Sequence, residues 1–159
     1  MSAAPATGGP EARLAELGIT LPQLPTPQGA YIPTVRTGSY VYASGQVPMR
    51  DGGLLATGKV GAEVDLETAQ ACARQCAINL IAALKAEVGD LGTVARIVKL
   101  VVFVASAPDF TDQPKVGNGA SDLMAEVFGD RGLHARSAIG VAQLPLGVPV
   151  EVELVAEIA

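Results

Sequence analysis

The stretch ARSAIGVAQLPLGVPVEVELVAEI, residues 135–158, decides the fold. In its second half Val150, Val152, Leu154, Ala156 and Ile158 fall on one side of an extended chain, and Glu151, Glu153, Val155 and Glu157 on the other. That period of two is the mark of a strand with one face packed on a core. The first half, from His134 to Leu144, reads as another strand. Arg136, Ala138, Gly140 and Ala142 share one face; Ser137, Ile139, Val141 and Gln143 share the other. Pro145, Leu146 and Gly147 make the turn between them. The local pattern leaves two charged groups open. Arg136 fits an edge-strand surface charge, or a planar donor fork that grips a carboxylate among small neighbours. Glu151 fits one more carboxylate on a wet face, or a proton carrier in a cleft.

Working outward, residues 65–90 give the clearest helix. Asp65 caps its start and Gly89 ends it. Ala69, Cys72, Ala73, Cys76, Ala77, Leu80, Ile81 and Leu84 recur at three-and-four spacing, an apolar stripe. Residues 94–106, VARIVKLVVFVAS, predict a central strand covered on both faces, because their apolar run is nearly continuous. Residues 112–130 start loosely and turn helical up to Gly129. Upstream, residues 30–38 and 39–48 predict two strands around a turn at Thr37 and Gly38, and residues 52–61 a third short strand. Pro10 opens a short helix that Gly18 stops, after a frayed start at residues 1–9. A Pro-rich extended linker follows. The predicted organisation is a helix and linker over residues 1–28 and one domain over 29–159. Strands flank two long helices without regular alternation, so the expected class is α+β, helices on one face of a mixed sheet.

The chain has 159 residues, 49% hydrophobic and 17% charged, with aromatics at 4% and no Trp. A core must be built from Ala, Val, Leu and Ile, and so aliphatic a surface predicts association with copies of itself. Net charge is −5, and no Lys/Arg cluster offers the concentrated positive charge that phosphate backbones require. Nucleic acid is therefore not an expected partner. Residues 1–18 lack an apolar signal core and no run approaches membrane-spanning length. A cytoplasmic protein with no membrane partner is expected. Cys72 and Cys76 are four apart on one helix face, poor disulfide geometry, and read as small buried hydrophobes. With His134 they are too few for a metal site, and no phosphate loop or dinucleotide fingerprint appears. No metal or cofactor is expected. His134 is the single histidine; it points to the face of Arg136 and lacks the Ser/Asp context of a catalytic base. Gly45 ends a strand where bare backbone could approach a ligand, or is a plain turn. Tyr31 reads as a hydroxyl near a site, or as a half-buried tyrosine at a strand start.

Residues 135–158 resemble the C-terminal signature of the Rid/YjgF family of reactive-intermediate (imine/enamine) deaminases, in which Ala-Arg-Ser precedes an apolar strand, then Leu-Pro, then Val-Glu-x-Glu. YASGQVP, residues 42–48, resembles that family's Ser-Gly-Gln-x-Pro element. The likeness covers residues 29–159. It implies a chorismate-mutase-like fold, a homotrimer with clefts between subunits, and cofactor-free hydrolysis of 2-imino acids or their enamine tautomers to 2-keto acids and ammonia. Carried over by motif, Arg136 binds the substrate carboxylate, Glu151 positions or activates water, Gly45 faces the ligand with Ser44 beside it, and Tyr31 supplies a hydroxyl near the cleft. Many members have Tyr-Ser-Gln where this chain has Tyr31, Ile32 and Pro33, and a cysteine where Ala138 stands; a backbone contact at Ala138 survives that change. The family's pocket asparagine maps near Ser121, with Asn118 the nearest asparagine. The N-terminal helix and the long 109–121 stretch mark a divergent subgroup. The alternative is a non-catalytic trimeric module that binds a small carboxylate or a partner protein.

Overall fold

The structure, a computed structural model, describes residues 8–27 and 29–159. Most of the frayed start expected from the sequence lies outside the described residues, as does Gln28 at the expected linker–domain boundary. Helix α1 (Pro10–Glu16) leads through the linker to β1 (Thr34–Thr37) and β2 (Tyr40–Gln46). A hairpin of β3 (Met49–Arg50) and β4 (Gly53–Leu54) precedes α2 (Leu66–Val88). Then come β5 (Val94–Ala105), α3 (Gln113–Phe128), β6 (Ala135–Val141) and β7 (Val150–Ile158).

Five strands form one sheet in the order β1-β2-β7-β5-β6. Only β5 and β6 pair in parallel; the other neighbours are antiparallel. The α3 crossover makes that parallel pair possible. Helices α2 and α3 pack on the same face, so the mixed-sheet α+β expectation holds. Asp65 Oδ1 accepts the Thr68 amide at 2.8 Å, capping α2 as expected, and Gly89 ends it with a positive φ. All eight residues of the anticipated stripe are buried, against Val150, Val152, Leu154, Ala156 and Ile158 of β7. Where α2 and α3 cross, Gly119 has no room for a side chain: a methyl would meet the Gln70 carbonyl. Glu11 of α1 accepts from Lys85 Nζ (2.9 Å) and the Leu91 amide (2.7 Å), and Leu14 enters the common core.

Three expectations are corrected. The third strand is confined to Gly53 and Leu54, which pair only with Met49 and Arg50, apart from the main sheet. Buried Asn79 holds this hairpin by donating to the carbonyls of Val47 (3.0 Å) and Met49 (3.1 Å). The turn between β1 and β2 falls on Gly38 and Ser39, because Thr37 pairs with Tyr40. Finally, β5 is covered on one face only. Leu100, Val102 and Val104 are fully buried, whereas Lys99, Val101 and Phe103 stay partly open on the far face.

Candidate functional site

Arg136 stands on β6 opposite Leu100 of β5. Paired residues project to the same side of a sheet, so its side chain is on the helix face. There it lies along α3. Nη1 donates to Asn118 Oδ1 and Ser121 Oγ, both at 3.0 Å, and Nη2 donates to the Pro114 carbonyl at 3.1 Å. Residues 114, 117, 118 and 121 make one helical face. Gly117 on that face makes room: a methyl there would stand 3.0 Å from Nη1 and 3.1 Å from Cζ. A guanidinium has five N–H donors. Nε–H and one N–H of Nη2 have no acceptor among the described residues, which leaves part of the planar fork available to an anion. Ala138, the next residue on this face, packs on the edge of the core.

Ser121 carries the arrangement one step further. Its Oγ is 2.9 Å from His134 Nε2, and His134 Nδ1 is 2.6 Å from the Gly132 carbonyl. Burial lowers the His134 pKa from its ordinary value; the Gly132 carbonyl opposes that, and the Arg136 charge adds to it. The net direction favours the neutral ring.

The other expected residues gather elsewhere. Between Ala43↔Leu154 and Gln46↔Val152, β2 carries Ser44 and Gly45 where β7 carries only Glu153, a one-residue β-bulge. The bulge turns the Gly45 backbone toward Glu151 so closely that a methyl on Gly45 would collide with Glu151 Oε1. Glu151 is half-buried. Burial raises its carboxyl pKa above the usual range, the Glu153 charge adds to that, and no hydrogen bond offsets either. Ser44 donates its hydroxyl to the Ile32 carbonyl (2.7 Å) and its amide to the Pro33 carbonyl (2.8 Å). These bonds fasten the segment that brings Tyr31 to the cleft. Tyr31 is 55% exposed, which corrects the half-buried alternative. The cleft of about 360 Å³ that holds Tyr31, Ser44, Gly45 and Glu151 is also lined by linker residues 24–27 and by Leu146. Leu146 adopts a left-handed φ of 60° with its side chain 66% exposed. Such a conformation costs about 1–3 kcal/mol and tends to occur at functional sites.

The seven anticipated residues thus form two groups. Arg136, Ala138 and Ser121 lie on the helix face beside α3. Glu151 pairs with Phe103 on β5 and projects to the open face, with Tyr31, Ser44 and Gly45 around it. Since Leu100 and Phe103 differ by an odd number of residues on a regular stretch of β5, Arg136 and Glu151 occupy opposite faces of one chain's sheet. Sequence reasoning missed the Ser121–His134 bond, the space left by Gly117 and the wall made by the linker. The spacing of 114, 117, 118 and 121 was a visible signal for the α3 face. The linker's place was not encoded in any local pattern. Among the described residues no group of three or more His, Cys, Asp or Glu is placed to hold a metal ion.

Fold and site define an α+β protein with two helices over a mixed sheet, an anchored arginine fork and a half-buried carboxylate. A family model described as "YjgF/chorismate_mutase-like, putative endoribonuclease" matches residues 11–158. The chain belongs to this family, and its fold is the family's chorismate-mutase-like fold. It is 47% identical over 154 residues to protein TCP17 of Trypanosoma cruzi, covering 96% of each chain. It is 32% identical over 136 residues to a 2-iminobutanoate/2-iminopropanoate deaminase of Dermatophagoides farinae, covering 85% of this chain and 91% of that one. Among solved structures, protein Atu1372 of Agrobacterium tumefaciens superposes with a TM-score of 0.86 at 46% identity, covering 94% of this chain and 91% of that one.

Proposed function

We propose that the protein is a cofactor-independent deaminase that hydrolyses small reactive 2-imino acids, or their enamine tautomers, to 2-keto acids and ammonia in the cytoplasm. The observation that carries this reading is Glu151: a half-buried carboxyl, raised in pKa, without a hydrogen-bond partner among the described residues, and set against bare backbone at Gly45. A proton carrier poised nearer neutrality suits hydrolysis of a carbon that is already electrophilic. The named activity of the Dermatophagoides relative supports the same class.

In this mechanism the substrate carboxylate sits on the free N–H groups of Arg136. Glu151 takes a proton from water as the oxygen adds to C2 of the C=N bond. That proton passes to the imine nitrogen, giving a neutral carbinolamine; Glu151 then takes the carbinolamine hydroxyl proton and delivers it to the nitrogen as the C–N bond breaks, so ammonia leaves and the C2–O bond becomes the keto C=O. An enamine first takes a proton at C3. Holding the carboxylate end fixed converts the attack into an oriented, near-unimolecular step.

Because Arg136 and Glu151 face opposite ways on one chain, this reading needs a second copy to bring one group to the other. A homotrimer with clefts between subunits meets that need. The open sheet face supports it: Val35, Tyr42 and Ile139 are exposed there, beside the partly open Val101 and Phe103. With a net charge of −5, the nuclease wording of the family description finds no support in this chain.

The test couples an amino-acid oxidase to trapping of the free imine and follows keto-acid release with and without the protein. Acceleration by the wild type that falls at least about 10²-fold in Glu151→Gln supports the reading. Full turnover by that variant overturns the role of Glu151; carboxylate binding that needs Arg136 without turnover of any imine points instead to the binding module.

A further inference from the structure

We infer that His134 is a positioning residue for Arg136, acting through Ser121 as a neutral proton acceptor; its importance for substrate rests on the carboxylate-binding role proposed for Arg136. The Gly132 carbonyl cannot donate, so the 2.6 Å contact puts a proton on His134 Nδ1. In the neutral ring Nε2 is then a bare lone pair, 2.9 Å from Ser121 Oγ. Ser121 gives it the hydroxyl proton. With its proton directed there, the hydroxyl presents a lone pair to Arg136 Nη1 at 3.0 Å. The direction of every bond in the series, from Arg136 to Ser121 to His134 to the Gly132 carbonyl, is thereby fixed.

Protonating the ring undoes this. Nε2–H and Nη1–H would both donate to one oxygen, the serine proton would lose its acceptor, and two cations would share one hydroxyl. Among the described residues no carboxylate acts on the ring: Asp130 of the Gly129–Gly132 turn and Asp122 beside Ser121 are not among the causes of its shift. Arg136, from β6, is the charge that acts on the ring. From α3 the ring meets neutral Ser121, and from the Gly129–Gly132 turn a carbonyl. Arg131 of that turn is directed to the carbonyls of Gly92 and Val94. Lys99 of β5 pairs with Ala135 and donates to Ser137 Oγ on the open face.

Because the chain has one histidine, its ring signals need no assignment. ¹⁵N-detected NMR of the full chain at pH 7 is expected to show the Nδ1–H tautomer, with an apparent pKa below 6.5. An Nε2–H tautomer, or a charged ring at pH 7, overturns the inference. The second arm compares His134→Leu, His134→Gln and Ser121→Ala by calorimetry with 2-oxobutanoate. Gln can place an acceptor near Nε2, so it is expected to bind within about 3-fold of wild type, whereas Leu and Ser121→Ala lose about 10-fold. Wild-type affinity should fall as pH drops through the His134 titration, and the Gln variant should not follow. Wild-type affinity in His134→Leu overturns the inference. If the wild type neither binds carboxylate nor hydrolyses imines, the proposed function fails on its own. The Arg136 Nη rotation rate then decides: slowed in wild type and freed in His134→Leu supports positioning; equal rates overturn it.

Discussion

Arg136 and Glu151 are both half-buried charged side chains on strands of one sheet, yet their settings are opposite. Arg136 has three protein acceptors that fix its plane, and a glycine beneath it that lets it lie flat. Glu151 has a cleft, a bare backbone beside it, and a raised pKa with no hydrogen bond to offset burial. One group is held in place and the other is left with a reason to exchange protons. The difference teaches that one sheet can hold its charges in two ways: β6 presents an anchored cation and β7 a loosely satisfied acid, the division on which the proposed hydrolysis rests.

The sharpest break of this contrast is Glu151→Gln. Turnover is expected to fall about 10²–10⁴-fold with KM little changed, measured in the coupled imine assay. Stability should move the other way. The folded carboxyl has a pKa above 4.5, so the stability it contributes is present below that value and lost as pH rises through the raised one. At neutral pH the wild-type carboxylate is a cost that the amide lacks, and Tm of the variant should exceed wild type there and lose its advantage in acid.

Arg136→Ala removes the fork and should weaken binding of 2-keto acids by about 10²-fold or more. Arg136→Lys should not restore it, because a single ammonium cannot meet the acceptors of α3 and a carboxylate in one plane. Glycine substitutions come next. Gly45→Ala should reduce turnover by displacing Glu151, and Gly117→Ala should reduce carboxylate affinity by pushing on Arg136; each is expected to cost about 1–3 kcal/mol of stability by crowding, read by denaturant unfolding. The smallest effect belongs to the linker. Leu24→Ala opens the cleft wall and should change the rate ratio between bulky and small imino acids by about 10-fold or less, with carboxylate affinity unchanged.

Much of the layout was legible because it is local. The Asp65 cap, the Gly89 stop and the stripe from Ala69 to Leu84 need only helical spacing, and the alternation from Val150 to Ile158 needs only strand geometry. The readings that failed depend on partners far away in sequence. Apolar continuity in β5 suggested cover on both faces, but within the chain the helices pack on one and the other stays partly open. Asn79 carries no local signal for its place: it is buried with its amide on the carbonyls of a hairpin some thirty residues away. Arg136 and Glu151 were both visible as unusual charges, and so was their difference in strand. Their opposite faces were not, since that depends on the register of β6 and β7 against β5. Ser44 shows the same limit: that its donors hold the Tyr31 segment depends on a pairing with residues 32 and 33 that no local pattern announces.

The two thiols sit inside α2, and burial pushes the Cys72 pKa up to about 11 and holds that of Cys76 well above its ordinary value. Neither forms appreciable thiolate near neutrality, so alkylating probes and mild oxidants find little to react with in the native fold. A cysteine engineered onto the open sheet face would therefore be the dominant reactive sulfur under native conditions, and fluorophores or crosslinkers attached there would report on association between copies with little background from the native thiols.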